Sequence, residues 1–127
     1  PAPAMAALAL LLVDGEIART KGDLATAIRL FQQASAHERA LPYTEPPYWH
    51  QPISHLLGAA LLEAQRYADA EAVYRDSLKV YRRDGWTLRG LTLALERQGK
   101  RREAEKAKAD QRAAWQLADV VLTSSRF

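Results

Sequence analysis

The chain has 127 residues, a formal net charge of +3 and no cysteine, which bounds it to one domain and excludes a disulfide framework or a thiolate metal site. Hydrophobic residues make up 48% and charged residues 26%, the balance of an ordinary globular protein rather than a disordered one. Residues 1–65 carry 4 basic and 6 acidic side chains and residues 66–127 carry 14 and 9, a tilt that favours an acidic partner or simply keeps a mixed-charge helical surface soluble.

The chain starts at Pro1 rather than Met, and is read as a piece of a longer protein. Met5 to Val13 is a nine-residue apolar run, too short for a membrane span, which takes about 20 residues. No basic residue precedes it, so a signal peptide is not expected. Residues 4–21 carry Leu8, Leu11, Leu12, Gly15 and Ala18 at helical spacing. Gly22 is a natural stop and Asp23 a natural N-cap for a second helix over about 24–40, with Ala27, Ile28, Phe31 and Ala34 on its inner face. Residues 41–52 hold four prolines, which exclude a helix interior and stiffen a long loop carrying Tyr43, Tyr48 and Trp49.

Pro52 suits the first turn of a third helix, about 53–65, with Leu57, Gly58 and Leu61 inward. A fourth, about 67–82, carries Ala70, Val73, Tyr74 and Leu78. Asp84 caps a fifth, reaching about Gln98, with Leu88, Leu91 and Leu95 inward, and Gly99 stops it. A sixth starts near Lys100. Its inner positions, Ala104, Ala107, Gln111, Ala114 and Ala118, are small or polar, a thin seam that suits the end of a stack. These spans imply one all-α domain of three hairpins, over about 5–40, 52–83 and 85–119, with a long loop at 41–52 and a tail from 120.

The hairpins repeat one another. Ala27, Ala70 and Ala104 occupy equivalent points, with separations of 43 and 34 residues; the surplus of nine falls in the proline loop. A 34-residue period is that of the tetratricopeptide repeat. Leu57-Gly58-x-x-Leu61 followed by Tyr67-x-x-Ala70-x-x-x-Tyr74 resembles that family's consensus. Gly22, Ala27, Phe31 and Ala34 resemble the second half of another copy, and Leu91, Leu95, Gly99 and Ala104 a third. Asp14, Thr92, Lys108 and Gln111 depart from the pattern. More loosely, Glu45-Pro-Pro-Tyr-Trp-x-x-Pro52 and Ser125-Arg-Phe look like the C-terminal region of uncharacterised bacterial repeat proteins, which implies no activity.

The resemblance implies a right-handed α-solenoid serving as a scaffold, whose first helices line a concave groove that binds a peptide or partner protein. On helical spacing the groove positions are Glu16 and Arg19 on helix one, His55, Ala59 and Leu62 on helix three, and Trp86, Arg89, Leu93 and Glu96 on helix five. Tyr48 and Trp49 would stand at its rim, or plug the gap between hairpins. Trp86 reads equally as a binding anchor or as a packed residue. The Lys and Asn clamp that some family members use for acidic chain ends is replaced by Leu12, Glu16, His55, Ala59, Arg89 and Leu93, so a chaperone-type function is not implied. The apolar surplus at Leu8, Leu10, Leu11, Leu12 and Val13 predicts an exposed strip on helix one, covered by upstream repeats or by self-association.

No phosphate-loop, nucleophile-elbow or metalloprotease motif is present, and neither enzymatic activity nor a cofactor is expected. Two alternatives are weaker. A metal could be held by His50, His55 and Glu45, but the five-residue spacing of the histidines does not place them on one helical face; His37, beside Glu38, reads as solvated. Nucleic acid could meet the basic stripe of Arg97, Lys100, Arg101, Arg102, Lys106, Lys108 and Arg112, but Glu103, Glu105 and Asp110 interrupt it, as on a salt-bridged helix, and no aromatic is interleaved. The compartment is not legible.

Overall fold

The computed structural model of this chain describes the backbone of residues 2–40, 53–82 and 84–124. Those residues form six helices: α1 (Ala2–Thr20), α2 (Leu24–Ala40), α3 (Ile53–Glu63), α4 (Tyr67–Leu78), α5 (Gly85–Arg97) and α6 (Arg101–Ser124). No strand occurs among the described residues, so the all-α expectation holds. The chain divides into two compact units, residues 1–66 and 67–127. In the first, α1 packs on α2 and α2 on α3; in the second, α4 packs on α5 and α5 on α6.

In the first unit, α2 buries Ala27, Ile28, Phe31 and Ala34, and α3 buries Ile53, Leu57, Gly58, Ala60 and Leu61. These are the spacings of an amphipathic helix facing a core. Phe31 lies against Gly15 of α1, where an added Cβ would stand 2.5 Å from the ring; the missing side chain is what admits the aromatic. Leu8, Ala34 and Ile53 meet in a fully buried cluster, flanked by Leu11 and Leu12. In the second unit Ala70, Tyr74 and Ser77 of α4 are buried, as are Leu88, Leu91 and Leu95 of α5 and Ala104, Ala107 and Ala114 of α6. Of the other inner positions expected on α6, Gln111 is half-buried and the side chain of Ala118 lies outside the described residues.

Three helix ends are built alike. After α1 the Gly22 N–H donates to the Arg19 carbonyl (3.0 Å) and the Asp23 N–H to Ala18 (2.9 Å). After α3 the Gln65 N–H donates to Leu62 (3.0 Å) and the Arg66 N–H to Leu61 (2.8 Å). After α5 the Gly99 N–H donates to Glu96 (3.0 Å) and the Lys100 N–H to Leu95 (3.0 Å). Gly22, Gln65 and Gly99 have φ of 83°, 61° and 77°, the left-handed turn that ends a helix and satisfies its last carbonyls. They are separated by 43 and 34 residues, the same offsets as Ala27, Ala70 and Ala104. A side chain in that region is strained, and glycine is not. Gln65→Gly is therefore expected to stabilise the protein by roughly 0.5–1 kcal/mol, read as a higher urea midpoint at an unchanged slope.

The starts follow the sequence too. The Thr26 N–H donates to the Asp23 carboxylate at 3.2 Å. Asp84 accepts from the Trp86 N–H at 3.1 Å and from the Thr87 hydroxyl at 2.7 Å, an N-cap that also satisfies a buried threonine. Two boundaries differ from expectation. α4 stops at Leu78 rather than near residue 82, because Val80 and Tyr81 are exposed and find no core; the N–H groups of Lys79 and Val80 close tighter turns on Asp76 and Ser77. α6 continues to Ser124, past the residue 120 at which a tail was expected, since neither proline nor glycine interrupts 101–124. The loop 41–52 and its aromatics lie outside the described residues.

One ion cluster ties the second unit together. The Glu71 carboxylate accepts from Arg75 Nε (2.7 Å), Lys100 Nζ (2.9 Å) and Gln98 Nε2 (3.0 Å), and Arg75 reaches on to Glu103. The Arg75 hydrogen bond, aided by Lys100 and Gln98 against some burial, holds the Glu71 carboxyl down to about 2. A carboxyl whose pKa falls on folding stabilises the fold above its ordinary value near 4.5, and that contribution is lost as pH falls from there toward 2. Stability of the wild type should therefore drop more steeply than that of Glu71→Gln between pH 5 and about pH 2.5, in urea titrations at fixed ionic strength.

Candidate binding faces

The exposed side of α5 carries Trp86, Arg89, Leu93 and Glu96, at intervals that keep them on one face of a helix. The other side buries Leu88, Leu91 and Leu95, so the register read from the sequence is the one adopted. Trp86 is 58% exposed, and its ring meets Trp115 of α6 edge-on, with centroids 5.4 Å apart and planes at 90°. Gly85 makes room for this pair, since a Cβ there would stand 2.9 Å from the Trp115 ring. Trp115 was not among the sequence-derived candidates. The signal for it was available in the glycine beside Trp86, but which α6 residue would use that space depends on helix phase over thirty residues.

Arg89 makes no hydrogen bond or ion pair with the described residues and is exposed. Leu93 is exposed as well, and Glu96 is held by Lys108 at 3.3 Å. The α5 face thus offers an aromatic pair, a guanidinium uncommitted among the described residues and an apolar side chain in a line.

The candidates on α1 and α3 are arranged differently. Arg19 donates to both Glu16 oxygens, from Nε at 3.2 Å and Nη2 at 3.1 Å, and to Glu63 from Nη1 at 2.7 Å. These carboxylates raise the Arg19 pKa still further above its ordinary value, the Glu16 hydrogen bond contributing most. Arg19 and Glu16 therefore bridge α1 to α3, and Glu63, absent from the sequence-derived set, completes the bridge. His55 and Leu62 are half-buried on α3. Beside the bridge lies an open apolar groove of about 470 Å³, lined by Leu12, Val13, Glu16, Ile17 and Leu56. Tyr48 and Trp49 lie outside the described residues.

The basic stripe is partly neutralised. Lys100 pairs with Glu71 (2.9 Å), Lys106 with Asp110 (3.5 Å), and Lys108 with Glu96 (3.3 Å) and Glu105 (3.8 Å). Of the residues considered for a metal, His50 and Glu45 lie outside the described set, and no three metal-ligating side chains converge among the described residues. No described helix is long and apolar enough to cross a membrane. No protein-family model, curated protein or solved structure matches the chain.

Proposed function

We propose that this chain is a protein-interaction scaffold of the tetratricopeptide kind, three hairpins in a right-handed α-solenoid, that binds a peptide or partner protein through the exposed face of α5. The observation that carries the proposal is the composition of that face. Trp86, Arg89 and Leu93 are exposed in register, and tryptophan and arginine are the residues that most often anchor protein interfaces. The repeat reading is supported by the left-handed caps at Gly22, Gln65 and Gly99, whose separations match those of the buried alanines. Glu16 and Arg19, committed to each other and to Glu63, contribute shape to such a scaffold rather than free charge. The fitting ligand has a large apolar side chain to lie on Trp86 and Trp115 and a carboxylate to pair with Arg89.

A displayed peptide library selected on the wild-type chain tests this. Selected peptides should share an apolar residue and an acidic residue a few positions apart. Arg89→Ala should weaken the best of them at least tenfold, on the order of a hot-spot truncation, while leaving the melting temperature unchanged, because the side chain is exposed and unpaired among the described residues. Trp86→Ala should weaken it comparably. Selected peptides that bind both variants as tightly as the wild type would refute the α5 assignment.

A further inference from the structure

Leu10, Val13 and Ile17 form a second exposed apolar line, on α1, at 63%, 55% and 47% exposure. Its meaning comes from the repeat offsets. Moving 43 residues along the chain, these positions become Ile53, Leu56 and Ala60 of α3; moving 34 further, they become Thr87, Gly90 and Ala94 of α5. In α3, Ile53 and Ala60 are buried and Leu56 half-buried, and Ile53 packs against Ala34 of α2. In α5 all three are buried, and Gly90 lies against the Tyr74 ring of α4. On that face, Ile53 of α3 and Gly90 of α5 thus each meet the helix that precedes them in the chain, while Leu56 lines the groove it shares with Val13 and Ile17 of α1. On α1 that face is exposed, and it carries larger apolar side chains than the covered copy on α5 does.

We infer that the Leu10–Val13–Ile17 face of α1 docks an amphipathic partner helix of the α2 and α4 type, one presenting an aromatic and small-residue seam. The inference is independent of the α5 reading. A second copy of this chain is poorly suited to the role through its α6. There the counterparts of Tyr74 and Ala34 are Lys108 and Gln111, and Lys108 is tied to Glu96 and Glu105. The strip also carries a selective element. Asp14 is exposed and has no partner among the described residues, whereas its counterparts Leu57 and Leu91 are buried. A leucine at that point would accept any apolar helix; the carboxylate favours one with a basic residue opposite it.

The test uses a synthetic peptide of residues 24–40, the α2 sequence, stapled between positions 32 and 36, which are exposed in α2. The staple pre-forms the helix, since a free peptide of this length is marginal in water. Added to the intact wild-type chain, it should bind saturably and shift the amide resonances of residues 10–17. Ile17→Lys, at a half-exposed site, should weaken it at least tenfold by placing a charge in an apolar contact. Asp14→Leu should tighten it, on the order of threefold or more, by restoring the residue type of the covered copies. A stapled peptide of residues 101–117, the α6 sequence, should not bind. Three results would each overturn the inference: no saturable binding of the α2 peptide up to about millimolar concentration; equal binding of the α6 peptide; or sedimentation showing a wild-type dimer that Ile17→Lys dissociates, which would assign the strip to a second copy.

Discussion

Phe31→Ala is expected to cost roughly 3–5 kcal/mol of stability, the usual range for deleting a buried aromatic. Phe31 is fully buried and is the largest such side chain among the described residues. Its ring rests on Gly15, which has no side chain to move into the vacated space. With no side chain at Gly15 to fill the cavity, the loss should fall toward the upper end of the range. Phe31→Leu keeps most of the volume and should cost under about 1.5 kcal/mol. Urea titration of both variants checks the contrast. A Phe31→Ala loss below about 1 kcal/mol would mean that the site collapses, and that the α1–α2 packing is looser than the Gly15 contact implies.

What the sequence disclosed and what it withheld divide by the range of the interaction. Caps are local: Asp23, Asp84, Gly22 and Gly99 each act within a few residues, and each is found in its expected role. Inward faces are also legible, because helical periodicity fixes them once a phase is chosen, and Leu57 and Leu61 of α3 and Leu88, Leu91 and Leu95 of α5 are buried accordingly. Gln65 shows the limit of local reading. Its left-handed φ has no signature in glutamine itself and emerges only when the chain is aligned on its own repeat. The Arg19–Glu63 bridge spans 44 positions, and the Trp86–Trp115 contact joins α5 to α6. Such contacts depend on accumulated helix length and phase, which composition and spacing do not determine to within one residue.

The same division bears on the candidate site. Exposed face membership was readable for Trp86, Arg89, Leu93 and Glu96, because it is the complement of the buried leucines. Whether a charged residue remains available was not readable, because partners arrive from other helices. Glu16 and Arg19 are committed, Glu96 is shared with Lys108, and Arg89 is unpaired among the described residues. A binding face is therefore better ranked by the charges its own fold leaves uncommitted than by the charges its sequence contains.

Gly90→Val should damage the second unit severely, with a loss of about 3 kcal/mol, at the top of the overpacking range. A Cβ built on Gly90 collides with the Cζ, Cε1 and Cε2 atoms of Tyr74. The ring cannot readily swing aside. Tyr74 is 4% exposed, and burial pushes its phenol up to about 12. Valine adds two further carbons and gains little in helix propensity over glycine. Gly90→Ala is a finer probe. It gains about 1 kcal/mol of propensity and still meets the ring, so its net loss should be roughly 1 kcal/mol. The two terms separate in a double-mutant cycle. In a Tyr74→Leu background the collision is removed while the propensity gain remains, so Gly90→Ala should become neutral or stabilising. The expected coupling is on the order of 1–3 kcal/mol, typical of residues in direct contact. Losses that simply add, to within about 0.5 kcal/mol, would show that Gly90 is selected for something other than the α4–α5 approach.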